Sequence, residues 1–232
     1  MGEPRRVLLA SRNPGKVAEM ARILAEHLPG SDEPIEVLSL DDAEAYDEPV
    51  EDRPAFEGNA LLKAHAGLAA TGLPALADDS GLCVDALNGM PGVLSARWAG
   101  SAKDDRANNL LLLDQLADVP EERRTATFRC AVALVLPTGD GEVSEHVVHG
   151  AMPGRVIREL RGTGGFGYDV LFVPDEQDGD ATSAELEPAA KDAISHRGRA
   201  LREIAPLVTA LLGRAPSIPP DPGRPAGQAA RP

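Results

Sequence analysis

The sequence predicts an α/β domain in which buried strands and amphipathic helices alternate around a polar centre. Three observations carry that expectation. Short apolar runs bounded by turn residues recur at 6–10, 35–38 and 74–77, as buried strands do. Segments with helical periodicity separate them. Past residue 120 the pattern becomes a long period-two alternation, which argues for antiparallel pairing.

The first run breaks at Ser11-Arg12-Asn13-Pro14-Gly15-Lys16, after which Val17, Met20, Ala21, Leu24 and Leu28 recur at helical spacing. Asn13 ahead of Pro14 makes a good N-cap with proline at the first helical position. Lys16 is the anomaly. A cation in the first turn opposes the helix dipole, at a cost of about 0.3–1 kcal/mol. The same place presents free N–H groups suited to phosphate. No P-loop is present, because its first glycine is missing and Val17 follows Lys16. Alone, Lys16 reads equally well as a solvated lysine.

Residues 41–52 are acidic and irregular, and most of their carboxylates must be solvated. A helix is expected from Pro54 to about Ala70, stopping at Thr71-Gly72. Phe56, Asn59 and Lys63 share one face of it, a pattern that a surface stripe would also give.

Residues 74–98 hold the polar centre. Pro74-Ala75-Leu76-Ala77 ends in Asp78 and Asp79, Ser80-Gly81 breaks the line, and a second apolar run covers 82–87. The strand is expected to stop at the acids, where the backbone leaves the core. Its alternation should point Asp78 and Asp79 to opposite faces, leaving one of them for chemistry. An isolated Asp-Asp-Ser-Gly is equally an ordinary polar turn. Gly89-Met90-Pro91-Gly92 reads as a rigid turn. Residues 104–116 read as a helix whose leucines 110–113 are buried on more than one side.

Residues 125–136 place Phe128, Cys130, Val132, Leu134 and Leu136 on one strand face, and Thr138-Gly139-Asp140-Gly141 turns the chain into a hairpin over 142–150. A further turn is expected at Pro153-Gly154. Residues 161–169, RGTGGFGYD, satisfy GxGxxG, but a strand over 170–174 follows where a dinucleotide fingerprint needs a helix. The glycines around Phe166 and Tyr168 suggest a loop on which a flat ligand could stack, or simply a glycine-rich loop. Ser195 N-caps the last helix, which runs to about Leu212 and carries His196 and Arg197 in its first turn. Two helices with first-turn cations make sense if an anionic ligand lies between them. Residues 1–213 then form one domain, and 214–232 a disordered Pro/Gly-rich tail.

Composition narrows the partners. The chain of 232 residues carries 37 acids against 23 Lys and Arg, a net charge of −14. That field repels nucleic-acid polymers and anionic membranes, while a small anion could bind where cations converge. Aromatics make up only 3%, so the core must be aliphatic. Cys83 and Cys130 lie in apolar runs without CxxC spacing and read as buried free thiols in a reducing cytoplasm. The apolar stretch near the N-terminus is too short for a signal peptide or a membrane span.

SRNPGK, FEGNALLKA, ALADDSGL, GMPGVLSARW, GFGYD and SHRGRAL, in this order and spacing, resemble the RdgB-type inosine triphosphate pyrophosphatases, also called dITP/XTP pyrophosphatases. The resemblance spans about residues 5–212. It implies an elongated mixed β-sheet flanked by helices, with two lobes around a central active-site cleft, and a cytoplasmic homodimer. It implies Mg²⁺-dependent hydrolysis of ITP, dITP and XTP to the monophosphate and pyrophosphate, which cleanses the nucleotide pool. It places Ser11, Arg12, Asn13, Pro14, Gly15 and Lys16 on the triphosphate, with Lys63 pointing into the same site. Glu51 and Asp79 become the metal carboxylates, and Asp79, Lys16 and Lys63 the catalytic residues, with Asp79 as proton acceptor. Ser80, Phe166, Gly167, Tyr168, Asp169, Lys191, His196 and Arg197 touch the substrate.

Base choice follows from polarity. Lys191, His196, Arg197 and backbone N–H groups are mostly donors, which match the O6 acceptor of hypoxanthine and xanthine and leave the N6 donor of adenine unsatisfied. The chain departs from the family pattern in two places. Gly58 replaces an acid, for which Glu57 or Asp52 could substitute, and Val170 replaces a proline. Two other readings stand beside this one. A Maf-type pyrophosphatase with another base preference fits SHRGRAL and GFGYD poorly. A nucleotide sensor without turnover is kept open by Gly58.

Overall fold

The computed structural model describes residues 5–27, 35–43, 46–138 and 141–212. The expected tail, Leu28, Glu44 and the Gly139-Asp140 tip of the hairpin lie outside them. The elements in chain order are β1 (Arg5–Leu9), α1 (Pro14–His27), β2 (Ile35–Leu38), α2 (Phe56–Thr71), β3 (Ala75–Val84), β4 (Met90–Pro91) and α3 (Asp105–Gln115). They continue with β5 (Thr125–Pro137), β6 (Val143–Val156), β7 (Phe172–Pro174), α4 (Pro188–Ile194) and α5 (His196–Leu212).

The strands form one mixed sheet in the order β2-β1-β3-β5-β6-β7, with β4 paired to the end of β3. β1 runs parallel to both β2 and β3, whereas β3, β5, β6 and β7 are successively antiparallel. At 13 residues, β5 spans about 44 Å at the usual rise per residue. It therefore threads both lobes. In the first lobe, α1 and α5 cover one face over Val7, Leu9, Leu76, Val132 and Leu134. There α2 covers the other face through small residues, with Ala60 and Ala64 against Ala75, Ala77, Ala131 and Ala133. In the second lobe, Leu112 of α3 and Leu116 at its C-cap pack on Leu82, Val84, Met152 and Phe172.

Local signals act as the sequence requires. Asn13 Oδ1 accepts the Lys16 N–H at 3.1 Å, and Ser195 Oγ accepts the Gly198 N–H at 2.9 Å, so both N-caps form. Gly72 ends α2 in the left-handed conformation.

Several expectations are corrected. β3 does not stop at the acids: it continues through Ser80-Gly81, paired with Cys130 and Arg129 of β5. Gly81 is required there, because a Cβ would lie 2.3 Å from the Gly92 carbonyl oxygen and 2.4 Å from Ser95 Oγ. β6 likewise runs through Pro153-Gly154, where ladder pairing with β5 overrides turn chemistry. Val170 and Leu171 belong to a 3₁₀ turn over Gly167–Leu171 and not to the strand that follows. Leu110 is 44% exposed, so α3 buries one face. Cys83 is half-buried, while Cys130 is buried as expected. α4 went unforeseen.

Candidate active site

The acidic pair lies mid-strand between the lobes, with its two carboxylates on opposite faces of the sheet. Asp78 is 0% exposed and faces α1 and α5. Lys16 Nζ lies 3.0 Å from its Oδ2, and Arg197 donates to the same oxygen from Nε and Nη2. Arg197 also donates to Glu19 at 2.7 Å and to Ser80 Oγ at 2.8 Å. Burial alone would raise the Asp78 pKa, but Lys16 and Arg197 outweigh it and hold the carboxyl well below the usual range. The anion that the two first-turn cations share within the chain is therefore Asp78.

Asp79 faces α2. Asn59 donates to its Oδ2 at 3.0 Å, and Lys63 Nζ lies 3.6 Å from Oδ1 and 2.7 Å from Glu51. One turn of α2 separates Asn59 from Lys63, which is why both reach the same carboxylate. Burial raises the Asp79 pKa above its ordinary value despite Lys63 and Lys16. Burial also opposes ionisation of Glu51, yet Lys63, Lys16 and Lys103 bring its pKa below the ordinary value.

Across the cleft, the Phe166 ring packs over Gly15, with Lys191 Nζ 5.3 Å and Arg197 Cζ 5.7 Å from the ring centroid. Lys191 pairs with Asp169 at 2.6 Å, and Asp169 also accepts the Phe166 N–H at 2.9 Å. His196 stacks on Phe128, with centroids 4.9 Å apart and planes at 10°. Burial and the neighbouring Arg197 and Lys191 push its pKa well below the ordinary value, so the imidazole is neutral. That corrects its reading as a first-turn cation. Its Nδ1 is buried without a partner. Tyr168 lines the cleft, but its hydroxyl donates to the Ser95 carbonyl at 3.0 Å.

A cavity of about 680 Å³ joins these groups. The Ser11-to-Lys16 segment, Glu51, Lys63, Asp79, Ser80, Phe166-to-Asp169, Lys191, His196 and Arg197 all line it. A model of the Ham1 family matches residues 7–207. A dITP/XTP pyrophosphatase of Nocardia farcinica is 58% identical over 90% of this chain and 97% of its own length. That of Mycolicibacterium paratuberculosis is 55% identical over 88% and 96%. This chain belongs to the Ham1 family.

Solved structures agree with the assignment. A Ham1 protein of Coxiella burnetii superposes with a TM-score of 0.75 at 37% identity, covering 89% of this chain and 99% of its own. A nucleoside-triphosphatase / dITP/XTP pyrophosphatase of Mycobacterium abscessus gives 0.66 at 52%, covering 87% and 99%.

Within this Ham1 chain, Gly58 is accounted for locally. A Cβ there would come 2.9 Å from Arg53 Cβ, and the Arg53 N–H is held by Asn59 Oδ1 at 3.0 Å. Neither suggested substitute lines the cavity: the Glu57 side chain is 54% exposed beside His149, and that of Asp52 65% exposed beside Arg53. Glu48 does line it, 3.7 Å from Arg12. Sequence reasoning held Glu48 only as one of the acids of residues 41–52, one or two of which could reach a metal. It missed Glu19 and Phe128, along with Asp105, which accepts the Gly167 N–H at 2.7 Å and so ties the aromatic loop to α3. Phe128 was visible only as a core position, and nothing local marks a buried Glu19.

Proposed function

We propose that this Ham1 chain hydrolyses noncanonical purine nucleoside triphosphates, ITP, dITP and XTP, to the monophosphate and pyrophosphate, acting as a homodimer in the cytoplasm. One observation carries the reading. A single cavity is lined both by Lys16, Lys63, Glu51 and Asp79 and by Phe166, Asp169, Lys191 and His196. The first set suits a metal-bound polyphosphate and the second a flat, polar base. Among the described residues, no helix is long and apolar enough to cross a membrane.

The donor set fits Mg²⁺. Glu51 and Asp79 both lie against the same Lys63 amine, and no group of three or more metal-ligating side chains occurs among the described residues. Two carboxylates with the remaining ligands drawn from phosphate and water is the usual Mg²⁺ arrangement. When bound there, Mg²⁺ would supply Lewis-acid polarisation and charge neutralisation of the phosphates.

The chain's own residues supply the rest. Asp79, with its raised pKa and Asn59 fixing one oxygen, takes the proton of the attacking water. Attack falls on the α-phosphorus, the Pα–O bond to the β-phosphate breaks, and pyrophosphate leaves. Lys16, Lys63 and the α1 N-terminus meet the charge that develops on it. The Phe166 face stacks the base without choosing among purines. Lys191, with neutral His196 beside it, sets the donor pattern for O6, and a buried mismatch there costs about 1–3 kcal/mol. Hydrolysis of ITP in ¹⁸O-water tests the bond cleaved. Label confined to the monophosphate is expected, and label in pyrophosphate or orthophosphate would overturn α-attack.

A further inference from the structure

We propose that Lys103, on the loop before α3, is an additional phosphate-binding residue of the cleft. The inference rests on the triphosphate reading above. Most cations lining the cavity are already matched by carboxylates. Arg12 pairs with Glu48 at 3.7 Å, Lys16 with Asp78 at 3.0 Å, and Lys63 with Glu51 at 2.7 Å. Lys191 pairs with Asp169 at 2.6 Å, and Arg197 with Glu19 at 2.7 Å. Among the described residues, Lys103 is the lining Lys or Arg that makes no such pair.

The acids that follow Lys103 in sequence are engaged elsewhere. Asp104 accepts the Ala107 N–H at 2.9 Å as the N-cap of α3, and Asp105 accepts the Gly167 N–H at 2.7 Å. Lys103 nonetheless lines the same cavity as Lys16, Lys63 and Glu51. Its backbone is left-handed, with φ of 53°, a conformation that glycine takes without strain. Loop geometry therefore does not call for lysine at this position, whereas the charge has a use. A nucleoside triphosphate brings nearly four negative charges to a cavity whose other cations each already have a carboxylate partner. An exposed lysine on a flexible four-carbon stem can close over that chain from the rim.

The test is steady-state hydrolysis of ITP with Mg²⁺ by the full chain and its Lys103→Met, Lys103→Arg and Lys103→Gly variants, over about 0.05–0.3 M salt. Lys103→Met should raise KM about tenfold, leave kcat within about twofold, and flatten the salt dependence of kcat/KM. Lys103→Arg should restore KM. Lys103→Gly, which relieves the backbone, should show the same rise in KM with a melting temperature at or above that of the wild type. An unchanged KM and salt slope in Lys103→Met, or a wild-type KM in Lys103→Gly, would overturn the proposal while the triphosphate reading stands. A wild-type chain unable to hydrolyse ITP would overturn both.

Discussion

Arg197 holds Asp78 through two N–H groups that converge on one oxygen, at 3.1 and 3.0 Å, with the carboxylate wholly sealed from water. The contact ties the first turn of the last helix to the middle of the strand whose opposite face carries Asp79. Removing the guanidinium would leave Glu19 buried without its ion pair and Asp78 with Lys16 alone. Arg197→Ala is therefore expected to cost about 3–5 kcal/mol in chemical denaturation. Activity should fall alike on every purine triphosphate. An unchanged midpoint with a shrunken ITP/ATP ratio would make Arg197 a reader of the base instead.

Lys63 is the cation between the two cleft carboxylates, 3.6 Å from Asp79 and 2.7 Å from Glu51. Lys63→Met keeps the apolar stem and deletes the charge. The expected loss in kcat is about 10²–10³-fold, the size seen when one preorganised donor to a transition state is removed. Far-ultraviolet circular dichroism should remain that of the wild type. Turnover at the wild-type rate would remove Lys63 from the chemistry.

Phe166 lines the cavity with a ring that carries no hydrogen-bonding group. Phe166→Ala should weaken binding by about 1–3 kcal/mol, the worth of stacking one base on an aromatic side chain. The rise in KM should be the same for ITP, XTP and GTP, because stacking does not distinguish purines. A change in their ratios would assign base selection to the loop itself.

His196 gives a pH dependence with a definite sign. Its folded pKa lies well below the ordinary 6.5, so between those values the unfolded chain binds a proton that the native chain does not. Stability is therefore full above about pH 6.5 and declines as pH falls below it, by about 1.4 kcal/mol per unit. Urea midpoints at descending pH should show that slope, and His196→Gln should flatten it. A midpoint independent of pH in this window would mean the imidazole is protonated in the native state.

Local signals in the sequence located most of the elements. Asn13-Pro14 and Ser195 announced their helices because a cap needs only a side-chain oxygen at the right offset. Ile35–Leu38 read directly as a short apolar strand. Ser80-Gly81 and Pro153-Gly154 misled because their turn chemistry is local, while the ladder that straightens them comes from β5, about 50 and 25 residues away along the chain. The candidate site divides the same way. Asn59 and Lys63 could be placed on one face by spacing, and opposite faces for Asp78 and Asp79 followed from the strand period. That Asp78 would neutralise both first-turn cations could not be read, since it depends on α1 and α5 meeting over one face of β3. Glu19 and the Phe128–His196 stack were hidden for the same reason.

Pyrophosphate release from ITP, dITP, XTP, GTP and ATP, with and without Mg²⁺, by the wild-type chain and by Asp79→Asn tests the central claim most directly. Rapid Mg²⁺-dependent release from ITP, dITP and XTP, slow release from GTP and ATP, and loss of turnover in Asp79→Asn are expected. ITP that binds without being hydrolysed, or an Asp79→Asn chain that turns over at the wild-type rate, would contradict it.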